Sequence, residues 1–119
     1  MKIKKKNLVT VFIVIGIIIL AGVIIYLKSS NAGEELVPRA IAECIGSQAI
    51  MYSQTGCIHC KEQKALFGSS VKYLNIIECD YQPAVCNALG ITGTPTWIID
   101  GEKYPRVQSI ETLQNLTGC

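Results

Sequence analysis

At 119 residues the chain has room for one domain and an appendage. Hydrophobic residues make up 50% of it and the formal charge is +2, but the N-terminus supplies most of both excesses. From Gly33 onward six basic residues face nine acidic ones, a net charge of −3, which leaves no basic footprint and excludes nucleic acid as a partner.

Residues 1–7 form a basic segment with Lys2, Lys4, Lys5 and Lys6, expected in the cytoplasm. Residues 8–27 are an apolar run rich in Val, Ile and Leu, interrupted by Thr10, Gly16, Gly22 and Tyr26. Twenty helical residues span about 30 Å, the thickness of a bilayer core. In lipid the backbone hydrogen bonds must close within the segment, so a single transmembrane helix is expected despite the β-branched residues. Four lysines before the run and Lys28 after it place the following chain outside the cytoplasmic membrane, periplasmic or extracellular. Ser30-Asn31-Ala32 is a small-x-small triplet, so secretion after signal cleavage is the competing reading. The run is longer than a signal core of roughly 7–15 residues, which favours the anchor. Val23 follows Leu20-Ala21-Gly22, where a lipoprotein would carry its cysteine. Residues 28–33 read as a polar tether, and residues 34–119 as the outward domain.

In that domain, Glu34 to Ile45 has acids at its start, Pro38 early, and apolar residues at helical spacing, with Gly46 as its stop. A first strand is expected from Gln48 to Tyr52, then a turn through Gly56 into Cys57 and a helix to about Phe67, ended by Gly68. Residues 71–78 read as a second strand, and Pro83 to Leu89 as a short helix capped by Gly90. Thr94 to Ile99 gives a third strand, Asp100-Gly101 a hairpin turn, and Glu102 to Tyr104 a fourth strand ended by Pro105. Ser109 caps a last helix through Leu116, closed by Gly118.

The stretch with most chemical content is Cys57-Ile58-His59-Cys60. It follows a strand and opens a helix, so Cys57 lies where unpaired N–H groups and the macrodipole favour a thiolate. Cys60, one turn later, is placed to close a disulfide with it. His59, the chain's sole histidine, stands between the sulfurs and favours the reduced form electrostatically, which tilts the pair toward oxidising its partners. With one histidine and no second C-x-x-C, a closed zinc site is not expected, nor any cofactor beyond the redox-active disulfide. Six cysteines in so short a chain agree with an oxidising compartment. Four of them remain, and these pair in three ways. Cys79 and Cys86 are close along the chain, which leaves Cys44 and Cys119. Structural staples are the favoured reading, and a second redox pair at Cys79/Cys86 the alternative. Trp97, Tyr52 and Phe67 read as core or rim packing, and Lys61 and Lys64 as a solvated helix face.

The element order, with C-x-x-C after the first strand and Thr94-Pro95 before the third, resembles the thioredoxin fold. More narrowly, Cys57 to Gly68, Ile77-Glu78-Cys79-Asp80 and Gly90 to Gly101 resemble the thioredoxin-like domain fused to vitamin K epoxide reductase homologues. The resemblance covers roughly Pro38 to Cys119 and not the quinone-coupled reductase. It implies an α/β fold with a mixed four-stranded sheet flanked by helices. It implies a thiol–disulfide oxidoreductase in which Cys57 carries the mixed disulfide and Cys60 resolves it. Pro95 is then cis and sets the Thr94 backbone beside the sulfurs for a client segment. Two positions depart from the pattern: Ile58 replaces the usual proline, and Met51 stands where many relatives bury an acid.

The expected function is an anchored oxidase of cysteine-containing secreted or envelope proteins, reoxidised by a quinone-linked membrane protein of the vitamin K epoxide reductase type. An extracytoplasmic reductase or isomerase is the alternative within enzymes. A non-catalytic disulfide or soft-metal binding module is the alternative of another class.

Overall fold

The computed structural model describes residues 5–29 and 36–119. Lys2, Lys4, most of the expected tether and the acidic pair Glu34 and Glu35 lie outside the described residues. The chain divides into two units, Met1–Gly33 and Glu34–Cys119.

In the first unit, helix α1 covers Lys5–Ser29. Within it Lys6–Lys28 holds an 18-residue window of mean hydropathy 3.3 and is long and apolar enough to cross a membrane. Its length and composition suit an anchor and a signal sequence alike.

The second unit is a mixed α/β arrangement. Helix α2 (Arg39–Gln48) runs into strand β1 (Ala49–Ser53), followed by α3 (Ile58–Ala65), a 3₁₀ helix (Gly68–Tyr73) and β2 (Asn75–Glu78). Then come α4 (Pro83–Ala88), β3 (Thr96–Ile99), β4 (Glu102–Pro105) and α5 (Ile110–Thr117). The strands form one sheet in the order β2-β1-β3-β4. β1 pairs with β2 in parallel and with β3 antiparallel, and β3 with β4 antiparallel. The β3–β4 hairpin turns on Asp100 and Gly101, both at positive φ (50° and 81°), the geometry whose twist suits a two-residue hairpin. Ser109 caps α5 by accepting the Thr112 N–H at 3.0 Å, and Gly118, at φ 74°, ends it in the left-handed region.

In register, Met51 lies opposite Trp97 and Ala49 opposite Ile99, so these four share one face of the sheet. They cluster with Ala42 and Ile45 of α2, Cys60 of α3, Phe67, and Leu113 of α5, all buried. Trp97 and Phe67 are fully enclosed, with ring centroids 6.3 Å apart. Ile50 and Ile98, on the opposite face, are only half-buried.

Several boundaries differ from the sequence expectation, and the third strand starts at Thr96 rather than Thr94. Helix α2 does not stop at Gly46 but continues to Gln48, with Pro38 preceding its first residue. Gly46 serves a close approach instead. A Cβ there would run into the Tyr73 carbonyl oxygen and lie 3.1 Å from the Leu74 Cα, so the helix packs directly on backbone. The second strand is shorter than 71–78, because Gly68–Tyr73 forms the 3₁₀ helix. Ser70 Oγ in that turn donates to the Val37 carbonyl at 2.6 Å, and Val71, Tyr73 and Leu74 pack on the core from a turn. Helix α3 ends at Ala65, leaving Phe67 to fill the core from the connection.

Candidate active site

The turn from β1 into α3 is held from two sides. Gly56 adopts φ 78°, open to glycine without strain, and the Cys57 N–H closes the turn on the Gln54 carbonyl at 3.3 Å. Past the end of β2, the Cys79 N–H donates to the Ser53 carbonyl at 2.8 Å. Asp80 Oδ2 accepts the Thr55 N–H at 2.7 Å. That backbone bond, together with the Thr55 side chain, holds the Asp80 carboxyl below the usual carboxylate range.

The turn delivers Cys57 to the N-cap of α3. Its Sγ accepts the Cys60 N–H at 3.1 Å, one of the donors that a helix start leaves unpaired. Cys57 and Cys60 are joined in a disulfide with their Cα atoms 5.2 Å apart. The two sulfur-bearing residues differ in access. Cys60 is 2% exposed and belongs to the core, whereas Cys57 is only partly buried. Of the two sulfurs, the one on Cys57 is therefore the more open to an incoming thiolate. A Cys57 thiolate formed later keeps the Cys60 N–H and the helix terminus as its stabilising groups.

Across from the sulfurs runs the segment before β3. The Thr94 carbonyl oxygen lies 3.4 Å from Cys57 Sγ, and the Thr94–Pro95 peptide bond is cis. Pro95 is fully buried, and its carbonyl accepts the Arg106 N–H at 2.8 Å. Thr96 Oγ1 donates to the Gly93 carbonyl at 2.7 Å. Beside this segment a groove of about 540 Å³ runs between His59 and Glu62 on one wall and Pro105 and Arg106 on the other, with Thr94 and Pro95 at its floor.

His59 lines the groove, but its hydrogen bond goes to Glu62 rather than to a sulfur, Nδ1 to Oε2 at 2.8 Å. A protonated His59 thus has a carboxylate partner, which offsets part of the charge it offers Cys57. Lys64, expected as a solvated residue, instead bonds Glu78 at 2.6 Å with both side chains about a third exposed or less, tying α3 to the end of β2.

The remaining cysteines form two further disulfides. Cys44–Cys119 joins α2 to the residue after α5's cap, with Cα atoms 5.9 Å apart, and Cys79–Cys86 joins the end of β2 to α4, at 5.8 Å. Cys79 and Cys86 border a polar hollow of about 380 Å³ that also reaches Gln54 and Thr94. Among the described residues, no group of three or more His, Cys, Asp or Glu side chains could hold a metal ion.

Two residues at this site did not emerge from the sequence. Gln63 is fully buried; its Oε1 accepts both Trp97 Nε1–H at 3.0 Å and the Gln108 N–H at 2.7 Å, while Nε2 donates to the Gln108 carbonyl at 3.0 Å. A signal for it existed, since Cys60, Gln63 and Phe67 fall at i, i+3 and i+7, and a polar residue in that stripe has to find buried partners. Arg106, at φ 73°, sits in the left-handed region, for which its sequence carries no mark.

No family model matches the chain. It is similar to a thiol-disulfide oxidoreductase of Arabidopsis thaliana (LTO1), 35% identical over 79 residues, which is 59% of this chain and 21% of that protein. The match thus spans about a fifth of the curated relative's length. With the disulfides described above, this distant homology supports oxidoreductase activity on thiols and disulfides.

Proposed function

We propose that the chain is a membrane-anchored thiol–disulfide oxidoreductase with a thioredoxin-like domain outside the cytoplasmic membrane. The observation that carries this reading is the Cys57–Cys60 disulfide at the start of α3, its partly accessible sulfur 3.4 Å from the Thr94 carbonyl. The parallel β1–β2 pair, the antiparallel β3–β4 hairpin and the C-x-x-C after β1 support the fold. The lysine asymmetry about α1 supports the orientation. Residues 1–7 are then cytoplasmic, 8–27 the span, 28–33 a tether and 34–119 the working domain.

In the oxidising direction, a client thiolate attacks Cys57 Sγ, the Cys57–Cys60 bond breaks, and Cys60 leaves as a thiolate that takes up a proton. A second client thiolate then attacks the client sulfur of the mixed disulfide, and Cys57 leaves. The client gains a disulfide, losing two electrons and two protons, and the domain becomes a dithiol. Clients are cysteine-containing secreted or envelope proteins. A quinone-linked membrane oxidoreductase of the vitamin K epoxide reductase type accepts the two electrons and restores the disulfide. The alternative direction, reduction of extracytoplasmic disulfides, is favoured by the His59–Glu62 pair, which lessens the oxidising tilt of His59.

Trapping tests the proposal. With Cys60→Ala the mixed disulfide on Cys57 has no internal resolving thiol and accumulates in membranes. Adducts with secreted proteins and with a membrane oxidoreductase are expected. Recovery of soluble clients alone would count against the membrane partner, and absence of any adduct would refute the exchange role.

A further inference from the structure

Apart from the His59–Glu62 pair, the groove beside the sulfurs carries one charged group, Arg106. Its backbone N–H is fixed to the Pro95 carbonyl at 2.8 Å, so the root of the side chain is tied to the wall facing α3. It holds this place at φ 73°, a region that disfavours residues with a Cβ, and such outliers concentrate where a site needs a side chain in a set position. The side chain is exposed, and among the described residues it makes no ion pair. Glu62, on the opposite wall, is occupied by His59 at 2.8 Å. The groove is otherwise mostly apolar, with Pro95, Pro105 and Val107 in its lining. A cation rooted at a set point of the backbone, with no ion-pair partner among the described residues and beside a mostly apolar groove, is arranged to read one negative charge.

We propose that Arg106 is a specificity-determining residue that selects client segments with an acidic side chain next to the reacting cysteine. This rests on the exchange reading above. The client backbone lies along Thr94 with its thiolate at Cys57, and its carboxylate meets the Arg106 guanidinium across the rim. The chemistry is unchanged: the client thiolate bonds to Cys57 Sγ as the Cys57–Cys60 bond breaks, and the electron pair goes to Cys60. Arg106 acts on which thiolate arrives. It does not touch the reacting sulfurs.

The test uses the full chain in an uncharged detergent and two capped peptides, each with one cysteine flanked on both sides by Asp or by Lys. The peptides differ in intrinsic thiol reactivity, so the quantity read is the Asp/Lys ratio of exchange rates, compared between variants. An exposed ion pair is worth about two- to five-fold in such a ratio. Arg106→Gln is expected to lower the ratio by about that factor, Arg106→Glu by more, and Arg106→Lys to retain the wild-type ratio. High salt is expected to bring the four proteins together. A structural role alone would slow both peptides equally. An equal ratio in all four proteins at low salt, with exchange intact toward dithiothreitol, would overturn the assignment to Arg106 alone. Failure of the wild type to exchange with dithiothreitol would overturn the oxidoreductase reading and the specificity together.

Discussion

The Gln63 carboxamide pairs with the Gln108 backbone at two points, accepting its N–H at 2.7 Å and donating to its carbonyl at 3.0 Å. A side chain of α3 thus does for the chain after β4 what a neighbouring strand would do, and fixes the two walls of the groove relative to each other. The same Oε1 also takes the Trp97 indole N–H, so one buried group ties the active-site helix, β3 and the far wall together.

Gln63→Leu leaves the buried Trp97 donor and the half-buried Gln108 N–H without an acceptor, and is expected to cost about 2–4 kcal/mol in urea unfolding followed by Trp97 fluorescence. Gln63→Glu is expected to regain stability as the pH falls. Only the protonated carboxyl can donate to the Gln108 carbonyl, so the neutral form is favoured in the folded state and the gain is present below its folded pKa. A variant with leucine as stable as the wild type would show that the clamp contributes nothing.

Replacing a helix glycine by alanine ordinarily stabilises by up to about 1 kcal/mol. At Gly46 the opposite is expected, because the new Cβ meets the Tyr73 carbonyl, which is backbone and cannot swing aside. Gly46→Ala should destabilise by about 1–3 kcal/mol, read as a lowered denaturation midpoint.

These two positions also mark what the sequence could and could not convey. Composition and spacing located the apolar helix, the C-x-x-C after β1 and the Asp100-Gly101 hairpin, since each is a local property of consecutive residues. Gly46 reads locally as a stop, but its role depends on Tyr73, 27 positions away. The 71–74 segment alternates loosely enough to pass for strand, whereas Val71, Tyr73 and Leu74 pack on the core from a 3₁₀ turn and its cap. Lys64 looked solvated because its partner Glu78 follows from how β2 lies beside α3. Arg106 could not be read at all, since the backbone angle that places it comes from its bond to Pro95.

Asp80 gives a pH signature. Its folded-state pKa is lowered by the Thr55 N–H, so its contribution is present above the unfolded value near 3.9 and is lost as the pH falls through the folded value. Stability of the wild type should therefore fall with acid below about pH 4 more steeply than that of Asp80→Asn. Equal slopes would show that the Thr55 bond does not favour the charged form.

The two outer disulfides close loops of different size, with sequence separations of 75 and 7 residues. Loop-closure entropy makes Cys44–Cys119 worth about 4 kcal/mol and Cys79–Cys86 about 2 kcal/mol. Double alanine replacement of each pair should rank them in that order by urea unfolding. Exchange at Cys57–Cys60 should persist without Cys79 and Cys86. Its loss in a folded variant whose Cys57–Cys60 bond still exchanges with dithiothreitol would favour an electron relay through those two cysteines.

The proposed function requires Cys57–Cys60 to be a redox-active disulfide and the other two pairs to be staples. Its most direct test is a titration of the full chain in glutathione buffers of graded potential, with thiol alkylation mapped by mass spectrometry. Cys57 and Cys60 are expected to become alkylated together, in a reversible two-electron transition at a potential between about −270 and −120 mV. Cys44, Cys119, Cys79 and Cys86 should stay oxidised throughout. Reduction of Cys57–Cys60 only together with the other pairs, as the domain unfolds, would contradict it.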